Sequence, residues 1–134
     1  MEIQNLPQSK ALCVSIKIVS LLGKPHLLFP DQSKVIRVLV KDIVRLEGVR
    51  NYTLIHLKNG DTMLSSRTLK IYENILVDWG FVRVHRAHLI NLNCMKHYDE
   101  LDLTFAVMQN KDYISISRRK RKDFQDRIVG SIKL

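Results

Sequence analysis

Between Val35 and Ser65 four short segments follow one another with almost no room between them. Val35–Val40 and Ile43–Val49 are runs rich in β-branched residues, broken only by Lys41-Asp42, and Tyr52–Leu57 and Asp61–Ser65 come next. β-Branched and aromatic side chains fit a pleated, half-buried surface, and runs this short suit strands better than helices. Asn59-Gly60 separates the last two segments. That dipeptide offers both positive-φ positions of a tight hairpin. An antiparallel meander is therefore expected here, and with it a mostly β fold.

The remaining elements are sparser. Residues 1–10 are polar, and Leu12–Val19 and His26–Phe29 read as weak strands around a Gly23-Lys24-Pro25 turn. After the meander, Leu69, Tyr72, Ile75, Leu76 and Trp79 recur at helical spacing, with Ser66 placed to cap and Gly80 to terminate. Such an apolar face is core laid on a sheet rather than a cofactor site. Phe81–Val84, Met95–Leu101, Leu103–Met108 and Asp112–Ile116 read as further strands, with Gln109-Asn110-Lys111 as a turn. A second helix runs from Arg118 to about Val129, carried on Phe124 and Ile128 and stopped by Gly130. There is no βαβ alternation and no glycine-rich phosphate loop. The expected organisation is a weakly β N-terminal extension over 1–34 and one domain over 35–130.

At 134 residues the chain can bury a real core, and its 46% hydrophobic content excludes wholesale disorder. No apolar run reaches the roughly 18 residues of a spanning helix, so no membrane contact is expected. The first residues lack the basic and apolar regions of a secretion signal. Two cysteines, Cys13 and Cys94, are too few for a disulfide scaffold and are expected as buried or half-buried thiols in a reducing compartment. A cytoplasmic location follows as the expectation.

Charge says more. Lys and Arg number 22 against 13 acidic residues, a net charge of +9 with a pI near 9.8. From Gly80 to Tyr98 there is no acidic residue, yet Arg83, His85, Arg86, His88, Lys96 and His97 all fall there. From Ser117 onward, Arg118-Arg119-Lys120-Arg121-Lys122 form an unbroken basic run. Clustered cations of this kind meet polyanions, because neutralising phosphates releases condensed counterions. Cations at a helix start oppose the helix dipole unless an anion arrives there. The competing readings of the run are a solvated helix end and a nuclear-import signal.

Within the other cluster, Arg86 could pair with a guanine edge and Asn91 with adenine. Equally, Asn91 could cap a turn and His85 could be a satisfied core histidine. His85, His88 and His97 lack the complementary ligands and spacing of a metal site, so neither metal nor cofactor is expected. Catalytic templates are missing, and Asp99-Glu100-Asp102 reads as a solvated strand-end turn. A nuclease or metal-dependent enzyme without a motif is the enzymatic alternative; the expectation is that the chain is not an enzyme.

The order of these segments resembles the LytTR DNA-binding domain, a family of bacterial transcription regulators. Lys41-Asp42-Ile43-Val44-Arg45-Leu46-Glu47-Gly48, followed by Asn51-Tyr52-Thr53-Leu54-Ile55-His56-Leu57, is similar to the family's opening strand, short loop and tyrosine-headed strand. Ser66-Arg67-Thr68-Leu69 resembles its helix start. Phe81-Val82-Arg83-Val84-His85-Arg86-Ala87-His88-Leu89-Ile90-Asn91 resembles its most specific block, and Ile114-Ser115-Ile116-Ser117-Arg118-Arg119 its close. The resemblance covers about residues 35–128. It implies an elongated stack of small antiparallel β-sheets with two short helices, reading promoter direct repeats through loops in successive major grooves. By position those loops are Val49–Tyr52, Arg86 with its neighbours, and Ser117–Arg119. The implied contact residues are Arg50, Asn51, Tyr52, His85, Arg86, His88, Ser117, Arg118, Arg119, Arg121 and Lys122. Double-stranded DNA is the expected partner, with a homodimer assembling on it.

Family members usually follow a receiver domain or a membrane segment, and residues 1–34 are too short for a receiver. The chain is thus either a free-standing regulator or a piece of a longer one, with an upstream receiver domain or a sensor kinase as further partners in a two-component system. Some relatives carry histidine where Tyr52 stands. The alternative function is a regulatory partner that pairs with another regulator and does not itself bind DNA.

Overall fold

A computed structural model of the chain describes residues 16–132. Among the described residues eleven strands form three antiparallel sheets, joined by two short helices. The first sheet is a meander of β1 (Lys17–Leu21), β2 (Lys24–Asp31) and β3 (Lys34–Leu39). The Leu12–Val19 strand falls partly outside the described residues; the described strand starts at Lys17. The turn after it is Leu22-Gly23, both at positive φ (54° and 77°), while Lys24 and Pro25 already belong to β2. The turn thus sits earlier than Gly23-Lys24-Pro25, because two consecutive left-handed residues close the hairpin with no third.

The central sheet has five strands in the order β6-β5-β4-β8-β7. These are β4 (Ile43–Val49), β5 (Tyr52–Leu57), β6 (Thr62–Ser65), β7 (Phe81–His85) and β8 (His88–Asn91). The Asn59-Gly60 hairpin is present but built differently from the expected two-residue turn. Gly60 alone takes positive φ, 93°, its N–H donates to Leu57 O at 3.0 Å, and the Leu57 N–H donates to Asp61 O at 2.9 Å. That is a turn closed by one left-handed glycine, which uses three loop residues. Strand β8 was missed by the sequence reading, its four residues being hidden inside the basic block.

Helix α1 (Leu69–Leu76) passes through a 3₁₀ turn, Val77–Trp79, to Gly80, which ends it at φ 88°. Its N-cap position is Thr68, not Ser66. Of its apolar stripe Leu69, Tyr72 and Leu76 are buried, whereas Trp79 is exposed because the chain has already left the helical path. The third sheet, ordered β11-β10-β9, comprises β9 (Met95–Tyr98), β10 (Phe105–Met108) and β11 (Tyr113–Ser115). β9 stops short of Leu101 because the Asp99 carboxylate accepts the N–H groups of Leu101, Asp102 and Thr104, drawing the chain into a turn. A 3₁₀ turn, Arg118–Lys120, leads into α2 (Arg121–Ile132), which runs through Gly130 instead of ending there.

The central sheet separates two apolar clusters. On one face Leu46, Ile55 and Leu89 pack with Leu27 and Phe29 of the first sheet and with Leu69, Tyr72 and Leu76 of α1. On the other, Val82, Val84 and Ile90 pack with Ala106, Met108 and Ile114 of the third sheet and with Phe124 and Ile128 of α2. Each fully buried side chain of this size contributes roughly 1.5–3 kcal/mol of transfer free energy. Residues before Val35 therefore supply core as well as strands. Among the described residues no helix is long and apolar enough to cross a membrane.

Candidate nucleic-acid interface

Two hairpin tips and one turn carry the basic loops. At the first tip Val49 pairs with Tyr52, leaving Arg50 and Asn51 at the turn. Arg50 takes φ 58°, a conformation that side chains other than glycine seldom adopt, and Arg50, Asn51 and Tyr52 are all exposed. At the second, His85 pairs with His88 across a register shift, leaving Arg86 and Ala87 at the turn, with Arg86 exposed. The third is Ser117 with the 3₁₀ turn after it, where Arg118 and Arg119 are exposed.

Backbone hydrogen bonds tie the three together. The Gly48 N–H donates to Ala87 O at 2.9 Å, fastening the first tip to the second. The Ser117 N–H donates to Val84 O at 2.8 Å, fastening the third to the strand that leads into the second. A Cβ at position 48 would sit in ordinary contact with the Leu69 side chain at 3.4 Å and with the Ala87 backbone at 3.9 Å, so the first tip, the second tip and the start of α1 are already close-packed there.

The start of α1 lies against the same place. Thr53 donates through Oγ1 to Arg67 O at 2.8 Å, and Ser65 Oγ accepts from the Arg67 N–H at 3.2 Å, which sets where the helix begins. Two adjoining clefts result. One, of about 380 Å³, is lined by Gly48, Arg50, Thr68, Lys70, Arg83 and Arg86 among others. The other, of about 440 Å³, is lined by Lys70, Glu73, Arg83, Arg86, Ser117, Arg119 and Lys120 with His85. Glu73 is the only acidic residue in either lining, and it is already engaged by Arg83 at 2.7 Å and Lys70 at 3.7 Å. The surface between the loops is therefore strongly positive and open, as an anionic backbone requires.

Not every expected residue reaches it. Arg121 is half-buried with its Nε unpaired, and Lys122 faces Asp126 at 3.6 Å; neither lines the clefts. His85 is half-buried and accepts the Ala87 N–H on Nδ1 at 3.0 Å, so it shapes the turn. His88 lies opposite Glu47 in the sheet with its Nδ1 buried and unpaired. Burial, with the charges of Arg45 and His85, pushes it down to about 4 against the opposing pull of Glu47. Asn91 is buried: its side chain donates to Ile43 O at 2.9 Å and accepts from the Asn93 N–H at 3.0 Å. The adenine reading of Asn91 is thereby corrected to the turn-capping one.

A polar network lies under the first two tips. Arg45, buried in β4, donates to Asp112 at 2.7 Å and lies 3.6 Å from Glu47, which in turn meets His56 at 3.0 Å. Burial alone would raise Asp112, but the hydrogen bonds from Arg45 and Asn110 and the Arg45 charge hold it below the usual carboxylate range. His85 and His88 are ring neighbours at 5.1 Å, while His97 packs against Phe105 in the third sheet. Among the described residues no group of three His, Cys, Asp or Glu side chains could hold a metal ion. Cys94 is buried near the carbonyls of Lys41 and Ile43, and burial pushes its thiol up; Cys13 lies outside the described residues.

The sequence reading missed Lys70, which links the two clefts from the helix, and it did not single out Lys120 within its basic run. A lone lysine at the start of a helix carries no local mark of its neighbours.

Comparison with known proteins bears on the fold and the family. No curated protein matches the chain. A solved structure described as the LytTr DNA-binding domain of a methyl-accepting/DNA response regulator from Bacillus cereus matches with a TM-score of 0.66 at 22% identity, covering 79% of this chain and 98% of that one. At that identity the likeness establishes the fold. The sequence model of the LytTr DNA-binding domain matches residues 33–128, a span that holds all three basic loops and both helices almost to the end. The chain therefore belongs to the LytTR family of DNA-binding domains.

Proposed function

We propose that this protein is a cytoplasmic transcription regulator that reads promoter DNA through its three tied loops, each entering the major groove. The observation that carries this reading is the pair of backbone bonds, Gly48 to Ala87 and Ser117 to Val84, which hold Arg50, Arg86 and Arg119 on one positive surface. Loops held at fixed separation suit a duplex, whose grooves recur at fixed separation. In this reading Arg86 pairs with guanine acceptors, and Arg50, Asn51, Tyr52 and Ser117–Arg119 contact bases and neighbouring phosphates. His85 and His88 serve the second loop from beneath, and Arg121 and Lys122 attract the backbone at longer range. Target sites are short direct repeats, occupied by two copies of the protein. A receiver domain or a sensor kinase acting upstream would supply the signal.

Selection of bound duplexes from a random pool tests this directly. The expected result is a recurrent motif present twice in the same orientation, spaced by about one helical turn, roughly 10–10.5 base pairs, or a multiple of it. Enrichment of a single site would remove the direct-repeat part of the reading. No enrichment, together with no shift of genomic fragments in a gel, would favour a regulator that works by pairing with another protein.

A further inference from the structure

Arg83 lines both clefts, yet it is not an available cation. Its side chain is 16% exposed. Nε donates to His85 O at 2.9 Å, one terminal nitrogen donates to Arg86 O, and the other donates to the Glu73 carboxylate at 2.7 Å. The guanidinium thus gathers two successive carbonyls of the β7–β8 turn and is itself anchored to α1. The Ala87 N–H is held by His85 Nδ1 and Ala87 O by Gly48. The backbone of the turn is pinned on every side, and what projects from it into solvent is the Arg86 side chain.

We propose that Arg83 is a positioning residue for DNA recognition: anchored by Glu73, it locks the His85–Arg86 carbonyls so that Arg86 meets the base edges in one orientation. Bidentate pairing tolerates little angular error, so an arginine on an unlocked turn would spend much of its time misaligned. The inference rests on Arg86 as a base-reading residue, and the experiment separates the two.

Wild type, Arg83→Gln, Arg86→Ala, the double variant and Glu73→Gln are compared on the selected site and on random duplex at one fixed salt concentration. Arg83→Gln should lower affinity for the selected site about tenfold while changing random-duplex affinity less than about twofold. In the Arg86→Ala background the same substitution should add less than about twofold, because there is no aligned side chain left to lose. Glu73→Gln should act in the same direction more weakly and likewise vanish when Arg86 is absent. The slope of log affinity against log salt should stay unchanged in Arg83→Gln, because no phosphate contact is removed. Multiplying losses in the double variant, or a slope lower by about one unit, would overturn the proposal in favour of direct contact by Arg83. If Arg83→Gln does not fold, the Glu73→Gln cycle with Arg86→Ala decides on the same criteria. If Arg86→Ala alone leaves the site preference intact, the base-reading role fails first and the positioning role falls with it.

Discussion

Arg86 and Lys122 are both exposed cations of the basic clusters, and their surroundings divide their roles. Arg86 stands on a pinned turn in both clefts, whereas Lys122 sits on α2 beside Asp126, outside them. Arg86→Ala should cost roughly 1–3 kcal/mol on the preferred site and little on random DNA. Lys122→Ala should weaken both about equally, by less than the Arg86 loss. The ratio of specific to random affinity at fixed salt checks this; a ratio collapsed by Lys122→Ala would reverse the assignment. Arg50 supplies a second case, since its φ of 58° carries a cost that glycine would avoid. Arg50→Gly should therefore leave the protein as stable as before, or up to about 1 kcal/mol more stable, while DNA affinity falls. Thermal unfolding and a binding titration on the same preparation read the two effects. Arg86 and Lys122 stood out in the sequence as members of dense basic clusters, and Arg50 through the family resemblance alone. Arg83 was visible only as one more cation of its cluster, because its meaning lies in Glu73 and in two carbonyls that only the folded turn brings together.

Among the elements, the meander from β3 to β6 was readable from side-chain type alone, and the α1 stripe from its spacing. The failures have definite physical causes. Strand β8 is four residues long and begins with a histidine, so neither alternation nor β-branched content marks it; its pairing with β4 and β7 creates it. Helix α2 continues past Gly130 because Phe124 and Ile128 anchor it to the third sheet more firmly than one glycine weakens it. The β4–β8 pairing also sets a pH response. His88 falls to about 4 from an ordinary 6.5, so below 6.5 the unfolded chain binds a proton that the native sheet refuses. Stability from this group is complete above about 6.5 and is lost as pH falls toward 4. The Asp112 contribution follows the usual carboxylate direction: it is present above the ordinary value of 3.8 and lost only below it, a separate and more acid window. Urea unfolding at pH 7 and pH 5 should show a fall in midpoint that is smaller in His88→Gln; an equal fall would mean that His88 titrates freely in the native state.

For the whole molecule, net charge and its placement were evident before any fold, whereas the joint action of the three loops came only through the family resemblance. Nothing in the spacing of 50, 86 and 119 announces that they share a surface; the strand order of the central sheet brings the first two together, and the Ser117–Val84 bond brings in the third. With on the order of five phosphates neutralised, the log–log salt slope of binding should lie near −4 to −5. A flat response would mean that the clefts do not face the backbone. The bonds between Gly48 and Ala87 and between Ser117 and Val84 have a mechanical meaning as well. A comb whose teeth are braced to one another cannot spread to follow an ill-matched duplex, so the accommodation falls to the nucleic acid. Curving 20–30 base pairs costs of order 1–6 kcal/mol and is easiest at pyrimidine–purine steps. Preferred sites should then carry TA or CA steps between the touched bases, at positions no side chain reaches. Fragments with the site at their centre should also migrate more slowly, when bound, than equal-length fragments with the site at one end; identical mobility would mean that the comb itself yields.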